Sequence, residues 1–307
     1  MRLLLKRRTG KGFHWGEFAI ESFVRIAGGS AIFLVVVIFL FLLREGLPGF
    51  WEVSLGNLLN TRWYPSFGLY GILPLLYGSL LVTGGATLIA VPLGLATAIY
   101  MREVAPPWVR EILKPLIEVI AGIPSVVLGF LGMVAVAPLV RKLLGLPTGL
   151  TAFTGSIMLA YMALPTIISI AEDAIDTVPK AYKDGALALG ATHWQTIYRV
   201  VLPAARSGIL TAVMLGLGRA IGETMAVMMV TGNAARMGRE WAALFRPVRT
   251  MTATIAAEMG EVAQGSVHYH VLFAVAIVLF LITFAINGVA SIMALRGVPR
   301  RGGRLMH

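Results

Sequence analysis

The chain has 307 residues, of which 57% are hydrophobic and only 13% are charged. Soluble domains carry about one quarter charged residues, so this composition excludes an ordinary soluble protein. Cysteine is absent, which excludes disulfides and cysteine-ligated metals. The net charge is +11, but the sequence lacks the basic runs interleaved with aromatic residues that are typical of nucleic-acid binding. The charge therefore does not indicate a nucleic-acid partner.

Six segments are apolar over about 20 residues, the length that a helix needs to cross a bilayer. They are residues 26–43, 70–101, 115–140, 150–171, 207–231 and 269–295. We therefore predict an all-α, polytopic membrane protein with six transmembrane helices. The predicted divisions are an N-terminal basic tail (1–25), the first transmembrane helix with an outer loop (26–69), a transmembrane domain (70–296) and a C-terminal basic tail (297–307).

The basic residues predict the orientation of these helices. Seventeen of the 26 Lys and Arg residues lie in segments 1–25, 102–114, 172–206 and 296–307, and eight lie in the alternate loops. Cytoplasmic segments are enriched in Lys and Arg, so we expect a multi-pass protein of the cell (inner) membrane with both termini cytoplasmic. No small-residue cleavage site follows the first apolar run, so the N-terminal tail is expected to be retained.

The outer loop after the first span is rich in aromatic residues. Trp51, Trp63, Tyr64 and Tyr70 are typical of the aromatic belt at a membrane interface, which we favour over a ligand site.

The third span contains the sequence AGIPSVVLG. Gly122 and Pro124 are expected to kink this helix. A full interruption, which would direct the free N–H groups from Ser125 onwards at an anion, is the alternative.

Residues 179–202, called the elbow below, carry signals for two short helices that meet at a glycine. Pro179 suits the first turn of a helix, and Gly190 suits the left-handed residue that ends it. Thr192 and Gln195 form a capping box that begins the second helix.

The elbow presents aromatic side chains to the cytoplasm. Tyr182, Trp194 and Tyr198 are typical anchors of protein interfaces, and Pro203 is expected to end or kink the second helix. A helix lying on lipid is the alternative, but three nearby carboxylates suit an anionic leaflet poorly. They are Asp173, Asp176 and Asp184. We predict a docking element.

The fifth span contains two charges, Arg219 and Glu223, in the sequence LGLGRAIGETMAV. Charges inside a bilayer are costly and usually functional. Residues four apart share a helix face, so the two side chains are expected to neutralise each other. A purely structural pair is equally compatible with the pattern, because Gly218 and Gly222 at this spacing favour close helix packing.

Two other polar groups in the spans have smaller expected roles. Asn287 either faces a pathway or forms an interhelical hydrogen bond, and Glu118 is expected to pair with Lys114. An embedded enzyme is disfavoured, because the sequence lacks an H-E-x-x-H motif and a cysteine nucleophile, and we expect neither a metal nor a cofactor.

The sequence DGALALGATHWQTIYRVVLP resembles the cytoplasmic EAA signature of ABC-importer permeases. The matching positions are Asp184, Gly185 and Ala186 for EAA, Gly190 for the glycine, and Val200, Leu202 and Pro203 for the close of the motif. This resemblance implies the MetI-like core of a type I importer and an elbow that docks on an ATP-hydrolysing subunit. The chain itself has no nucleotide-binding loop.

The sequences WYPSFGLYGILPLLYGSLLVT and RAIGETMAVMMVTGN resemble the permeases of the phosphate-specific importer, and the PstC-type subunit more than the PstA-type subunit. The resemblance implies a complex with an ATP-binding cassette dimer, a second permease of the PstA type and an extracytoplasmic phosphate-binding protein, embedded in membrane lipid. Phosphate import is the expected function.

The resemblance also favours a functional role for the charged pair. Arg219 is expected to line the phosphate pathway or gate, with Glu223 as its counter-ion and Thr224 as an auxiliary hydrogen-bonding group. Guanidinium matches any oxyanion, so sulfate, molybdate and phosphonate stay open as cargo. An ion-coupled secondary transporter also stays open, although it would have no use for the elbow.

Overall fold

The computed structural model describes residues 15–238 and 241–297, and these residues are mostly helical. The helices are α1 (Trp15–Glu52), α2 (Leu55–Leu58), α3 (Leu73–Ile99), α4 (Pro107–Ala121), α5 (Ser125–Leu131), α6 (Ala137–Leu144), α7 (Ala152–Asp176), α8 (Lys180–Ala188), α9 (His193–Thr196), α10 (Leu202–Gly222), α11 (Met225–Val230), α12 (Met251–Glu258) and α13 (Val267–Gly297). Strands β1 (Trp63–Tyr64) and β2 (Leu69–Tyr70) form an antiparallel hairpin in which Trp63 pairs with Tyr70.

Within the described residues, six helical stretches are long and apolar enough to cross a membrane. They are Ile20–Glu52, Leu73–Val104, Ser125–Leu144, Ala152–Asp176, His193–Gly222 and Val267–Val289. Three of them include a π turn, at Tyr100–Val104, Gly132–Val136 and Ile197–Val201. The prediction of six transmembrane helices is confirmed. Of the predicted tails 1–25 and 297–307, residues 1–14 and 298–307 lie outside the described residues.

The third span begins later than predicted. The segment predicted as 115–140 is divided, because α4 ends at Ala121 and α5 begins at Ser125. Pro124 has no N–H to donate into a continuing helix, and it adopts extended backbone angles as the N-cap of α5. The expected simple kink is therefore wrong, and the interruption is complete.

The fifth span also differs from its predicted limits of 207–231. Pro203 was predicted to end or kink the second helix of the elbow. It does not end the helix, which continues from the elbow into α10, and a π turn at Ile197–Val201 directly precedes the turn that contains Pro203. At the other end α10 stops at Gly222, because Glu223 is extended, and α11 begins at Met225.

Helix α7 is the centre of the bundle, with α3 and α10 packed against it. Ile167 of α7 occupies a space that two glycines leave open. A Cβ added to Gly94 of α3 would lie 2.8 Å from Ile167 Cγ2, and one added to Gly216 of α10 would lie 2.4 Å from Cγ1. These glycines bring both helices close to α7, which fixes the position of the fifth span.

The two ends of the bundle carry separate polar networks. At the hairpin end, Trp63 is buried and donates to Glu258, so its expected place in an exposed aromatic belt is wrong. At the elbow end, Arg102 pairs with Asp176, and Lys183 Nζ lies 2.5 Å from Glu103 Oε1. These pairs tie the end of α3 to α7 and α8.

Glu172 of α7 is fully buried and is held by two cations of α4. Arg110 forms an ion pair with it, and Lys114 Nζ lies 2.9 Å from its Oε2. The hydrogen bond to Glu172 raises the pKa of Lys114. The predicted pairing of Lys114 with Glu118 is wrong, because Lys114 turns to α7 and also contacts Asp173.

We expect Glu172→Gln to destabilise the protein by about 3 kcal/mol, because breaking a buried ion pair leaves charges without a partner. The figure is at the low end of the usual range, since both cations are partly exposed. Thermal unfolding in detergent measures the change. Glu111→Gln on α4 is the control, since Glu111 is exposed and forms no ion pair among the described residues. Equal unfolding temperatures for the two variants would contradict the expectation.

Candidate functional site

The breaks that divide the predicted third span (115–140) and the predicted fifth span (207–231) meet near Arg219. This residue lies in the last turn of α10, one turn before the break at Glu223. One of its terminal nitrogens, Nη2, lies 3.5 Å from the carbonyl oxygen of Ala121, where α4 ends. The breaks in the third and fifth spans are therefore neighbours. A cation beside the last carbonyl of a helix is favoured by the helix dipole.

The Arg219 guanidinium is weakly held. Its other contact runs from Nη1 to Thr166 Oγ1 of α7 at 3.3 Å, and both distances are at the long end for N–H···O hydrogen bonds. Both acceptors are neutral, and within the described part of the chain no carboxylate lies within 4.0 Å of Arg219. The side chain is exposed in the single chain, so most of its five donors are available to a ligand.

The predicted pairing of Arg219 with Glu223 is not formed. Spacing of four residues brings side chains together only on a continuous helix, and α10 ends between them. The Glu223 carboxylate instead accepts a hydrogen bond from the backbone N–H of Ala226, in the first turn of α11. Glu223 therefore stabilises the start of α11 and leaves the arginine charge uncompensated.

The other predicted pathway residues lie near the break but not together. Thr224 Oγ1 donates to the carbonyl of Gly222 at 3.2 Å, within the break itself. Asn287 of α13 approaches another flank of α10, where its Oδ1 lies 3.6 Å from the Cβ position of Gly218. Across the residues that the structure describes, no hydrogen bond connects Asn287 to Arg219, Glu223 or Thr224.

Two hydroxyl groups at this site were not predicted from the sequence. Thr166 contacts Arg219, and Thr252 of α12 donates to the Glu223 carbonyl at 3.0 Å. The sequence contains a signal for each of these two threonines. Thr166 directly follows Pro165 inside an apolar span, and Thr252 is the middle one of three alternating threonines, Thr250, Thr252 and Thr254.

The elbow has the local structure that its sequence predicts. α8 ends in a glycine turn, since Gly190 has a φ of +85° and the N–H of Ala191 bonds back to the Ala186 carbonyl. Thr192 and Gln195 form the predicted capping box at the start of α9. Pro179 is the N-cap residue of α8, one position before the predicted place.

The elbow presents a large apolar surface. Trp194 is 67% exposed, Leu189 is 91% exposed, and Tyr182 and Tyr198 are also exposed. Among the residues of the signature motif, Asp184 and Gly185 are exposed on α8, and Ala186 is half-buried. Leu202 and Pro203 continue into α10, which carries Arg219 at its far end. One continuous helical stretch, His193–Gly222, therefore connects the elbow to the two breaks.

Comparison with known families identifies the chain. The family described as the binding-protein-dependent transport system inner membrane component matches residues 90–300, which include the elbow and both breaks. The chain belongs to this family. Membership confirms the expectations of a transport subunit rather than an enzyme, and of a multi-pass inner-membrane protein.

Curated relatives cover most of the chain. A probable ABC transporter permease, YqgH of Bacillus subtilis, is 41% identical over 254 residues, which is 81% of each chain. The phosphate transport permease PstC of Mesorhizobium japonicum is 37% identical over 80% of each chain. PstC of Haemophilus influenzae is 32% identical over 94% of this chain and 98% of its own.

Solved ABC transporters share the fold of this family member. The inward-facing methionine transporter MetNI aligns with a TM-score of 0.59 at 18% identity, over 78% of this chain and all of that chain. A bacterial alginate transporter, solved with a pentasaccharide-bound periplasmic protein, aligns with a TM-score of 0.60 at 17% identity, over 91% and 96%. The predicted type I importer fold is confirmed.

Proposed function

We propose that this chain is one of two membrane subunits of an ATP-driven importer that moves inorganic phosphate across the inner membrane. The observation that carries the proposal is the uncompensated guanidinium of Arg219 at the meeting of two interrupted spans. Phosphate offers several acceptor oxygens, and a guanidinium binds such an anion through two parallel hydrogen bonds. The similarity to PstC permeases of several bacteria supports phosphate as the oxyanion.

The weak contacts of Arg219 suit a site that binds an anion and then releases it. Neutral acceptors at 3.3 and 3.5 Å hold the guanidinium in place without satisfying it. A passing anion replaces them at small cost, and Thr166 and the Ala121 carbonyl receive the arginine again after release. Thr224 is our candidate for an additional hydrogen bond to the anion, and Asn287 for a position further along the pathway.

We assign the elbow to the docking of an ATP-binding cassette dimer. Its exposed aromatic side chains suit a hydrophobic groove on a partner. Lys183 and Glu103 fix α8 to the end of α3, so a displacement of the elbow also moves the transmembrane helices. The residues assigned to this contact are Tyr182, Asp184, Gly185, Ala186, Gly190, Trp194, Tyr198, Leu202 and Pro203.

The proposal includes two further partners and an orientation. Alternating access needs two facing halves, which calls for a second permease subunit of the PstA type. An extracytoplasmic phosphate-binding protein delivers the substrate to the hairpin end, opposite the elbow. Both termini then lie in the cytoplasm, as the distribution of basic residues predicts.

The test is uptake of labelled phosphate into vesicles that contain the reconstituted complex. We expect uptake to require ATP, and unlabelled phosphate to reduce it in proportion to the dilution of the label. Sulfate, molybdate and phosphonate at equal concentration should leave it unchanged. If one of these anions reduced the uptake more than unlabelled phosphate does, that anion would be the substrate. Uptake without ATP would favour an ion-coupled secondary transporter.

A further inference from the structure

Helix α12 contacts the break in the fifth span at its N-terminal end. Thr252 Oγ1, which is buried, donates to the Glu223 carbonyl at 3.0 Å. Because α10 has ended, this carbonyl is not part of a continuous helical hydrogen-bond pattern. The Thr252 hydroxyl donates a hydrogen bond to it instead. A residue 29 positions away thus helps to set the backbone beside Arg219.

The same end of α12 is fixed to α3. Met251 N–H donates to Ser79 Oγ at 2.9 Å. A Cβ at Gly78 would lie 2.2 Å from the Arg249 carbonyl oxygen, so the two backbones are in direct contact there. The start of α12 has no room to move independently of α3.

The C-terminal end of α12 is tied to the surface at the hairpin end. The Glu258 carboxylate receives Arg249 Nη1 at 2.6 Å, His268 Nε2 at 2.8 Å and Trp63 Nε1 at 3.1 Å. These groups come from the hairpin, from the segment before α12 and from the first turn of α13. One carboxylate therefore joins three separate segments of this end of the molecule.

We propose that Thr252 is a positioning residue for the pathway, and that α12 transmits the state of the hairpin end to the break beside Arg219. Six residues separate Thr252 from Glu258, which is about 9 Å along a helix. A change that shifts the Glu258 network, such as docking of a protein at the hairpin end, shifts α12 together with the part of α3 to which it is fixed, and with them the Glu223 carbonyl. This inference rests on the proposed function only in taking Arg219 as part of the pathway.

The test uses a thiol probe at the break. This chain has no native cysteine, so a label that is followed on this chain, separated from its partner subunits after the reaction, reports only the introduced thiol. Gly222→Cys introduces the probe, since Gly222 is exposed and nothing lies within 4 Å of its Cβ position. The rate of labelling by a membrane-impermeant maleimide is measured in the assembled complex. Thr252→Val should change this rate by about fivefold, the population shift expected for one lost hydrogen bond. Thr252→Ser should restore the original rate.

Matched variants separate this role from simple packing. Thr254→Val also removes a buried hydroxyl from α12, but that hydroxyl donates to Thr250 of the same helix, so the labelling rate should not change. Glu258→Gln should change the rate in the same direction as Thr252→Val, whereas Glu261→Gln, at an exposed carboxylate, should not.

Labelling at the original rate in Thr252→Val, or an equal effect of Thr254→Val, overturns the proposal. If the complex with Thr252→Val fails to assemble, the labelling rate of Glu258→Gln alone tests the proposal, because the Glu258 side chain lies at the far end of α12. Labelling requires no phosphate, so a complex that transports another anion would fail the uptake test and still give a valid result here.

Discussion

Replacement of Arg219 by glutamine is expected to reduce phosphate uptake roughly 100-fold. Glutamine keeps much of the side-chain volume but removes the charge and the forked donor pair. Two charge-assisted hydrogen bonds, at about 1.5 kcal/mol each, account for an effect of this size. Uptake of labelled phosphate into vesicles measures it, and recovery of the ATPase subunit shows whether the complex has assembled.

Arg206→Gln is the matched control for this variant. Arg206 lies in the first turns of the same helix α10, is exposed, and forms no ion pair within residues 15–238 and 241–297. It should retain uptake. If Arg219→Gln transports phosphate at the original rate, the guanidinium serves only to hold Thr166 and the end of α4 together.

Removal of the Trp194 side chain is expected to weaken binding of the ATPase subunit about 30-fold. Tryptophans at the centre of an interface commonly contribute 2 kcal/mol or more, which corresponds to this change in affinity. Trp194 stands on α9, directly after the glycine turn of the elbow, where its ring is largely exposed. Titration of the purified ATPase against the variant in lipid nanodiscs provides the measurement.

Trp51→Ala is the control for Trp194→Ala, because Trp51 is 77% exposed but lies at the opposite end of the bundle. It should bind the ATPase normally. Gly190→Ala should also weaken binding, since alanine disfavours the positive φ that sets the angle between α8 and α9. Unchanged ATPase binding in both elbow variants would favour a helix pair that lies on lipid.

Features that depend on neighbouring residues were predictable from the sequence. The elbow is specified by Gly190 and by the capping pair Thr192 and Gln195, each of which acts within one helical turn. The spans follow from apolar length alone. Such signals need no knowledge of which helices pack together.

Features that depend on distant residues were not predictable in this way. Nothing local to Glu223 forbids a helix, and the break there is held by Thr252, from 29 residues further along the chain. Trp63 is buried because Glu258, 195 residues away, accepts its indole N–H. Lys114 does not pair with Glu118, four residues later, but donates a hydrogen bond to Glu172 across a helix interface. In each case the decisive partner is brought in by the fold.

The break in the predicted fifth span leaves a long helical rod, which includes α10, and a short rod, α11. In the proposed orientation α10 belongs to the inner rod and α11 is the outer rod. The outer rod, α11, packs on α5, so a Cβ at Gly129 of α5 would lie only 2.7 Å from Ala226 Cα. The inner rod, α10, packs on α7 and α13 and continues to the elbow. In the proposed orientation, a torque applied to the elbow from the cytosol turns the inner rod while the outer rod stays with α5, and Arg219 lies on the side of the break that turns.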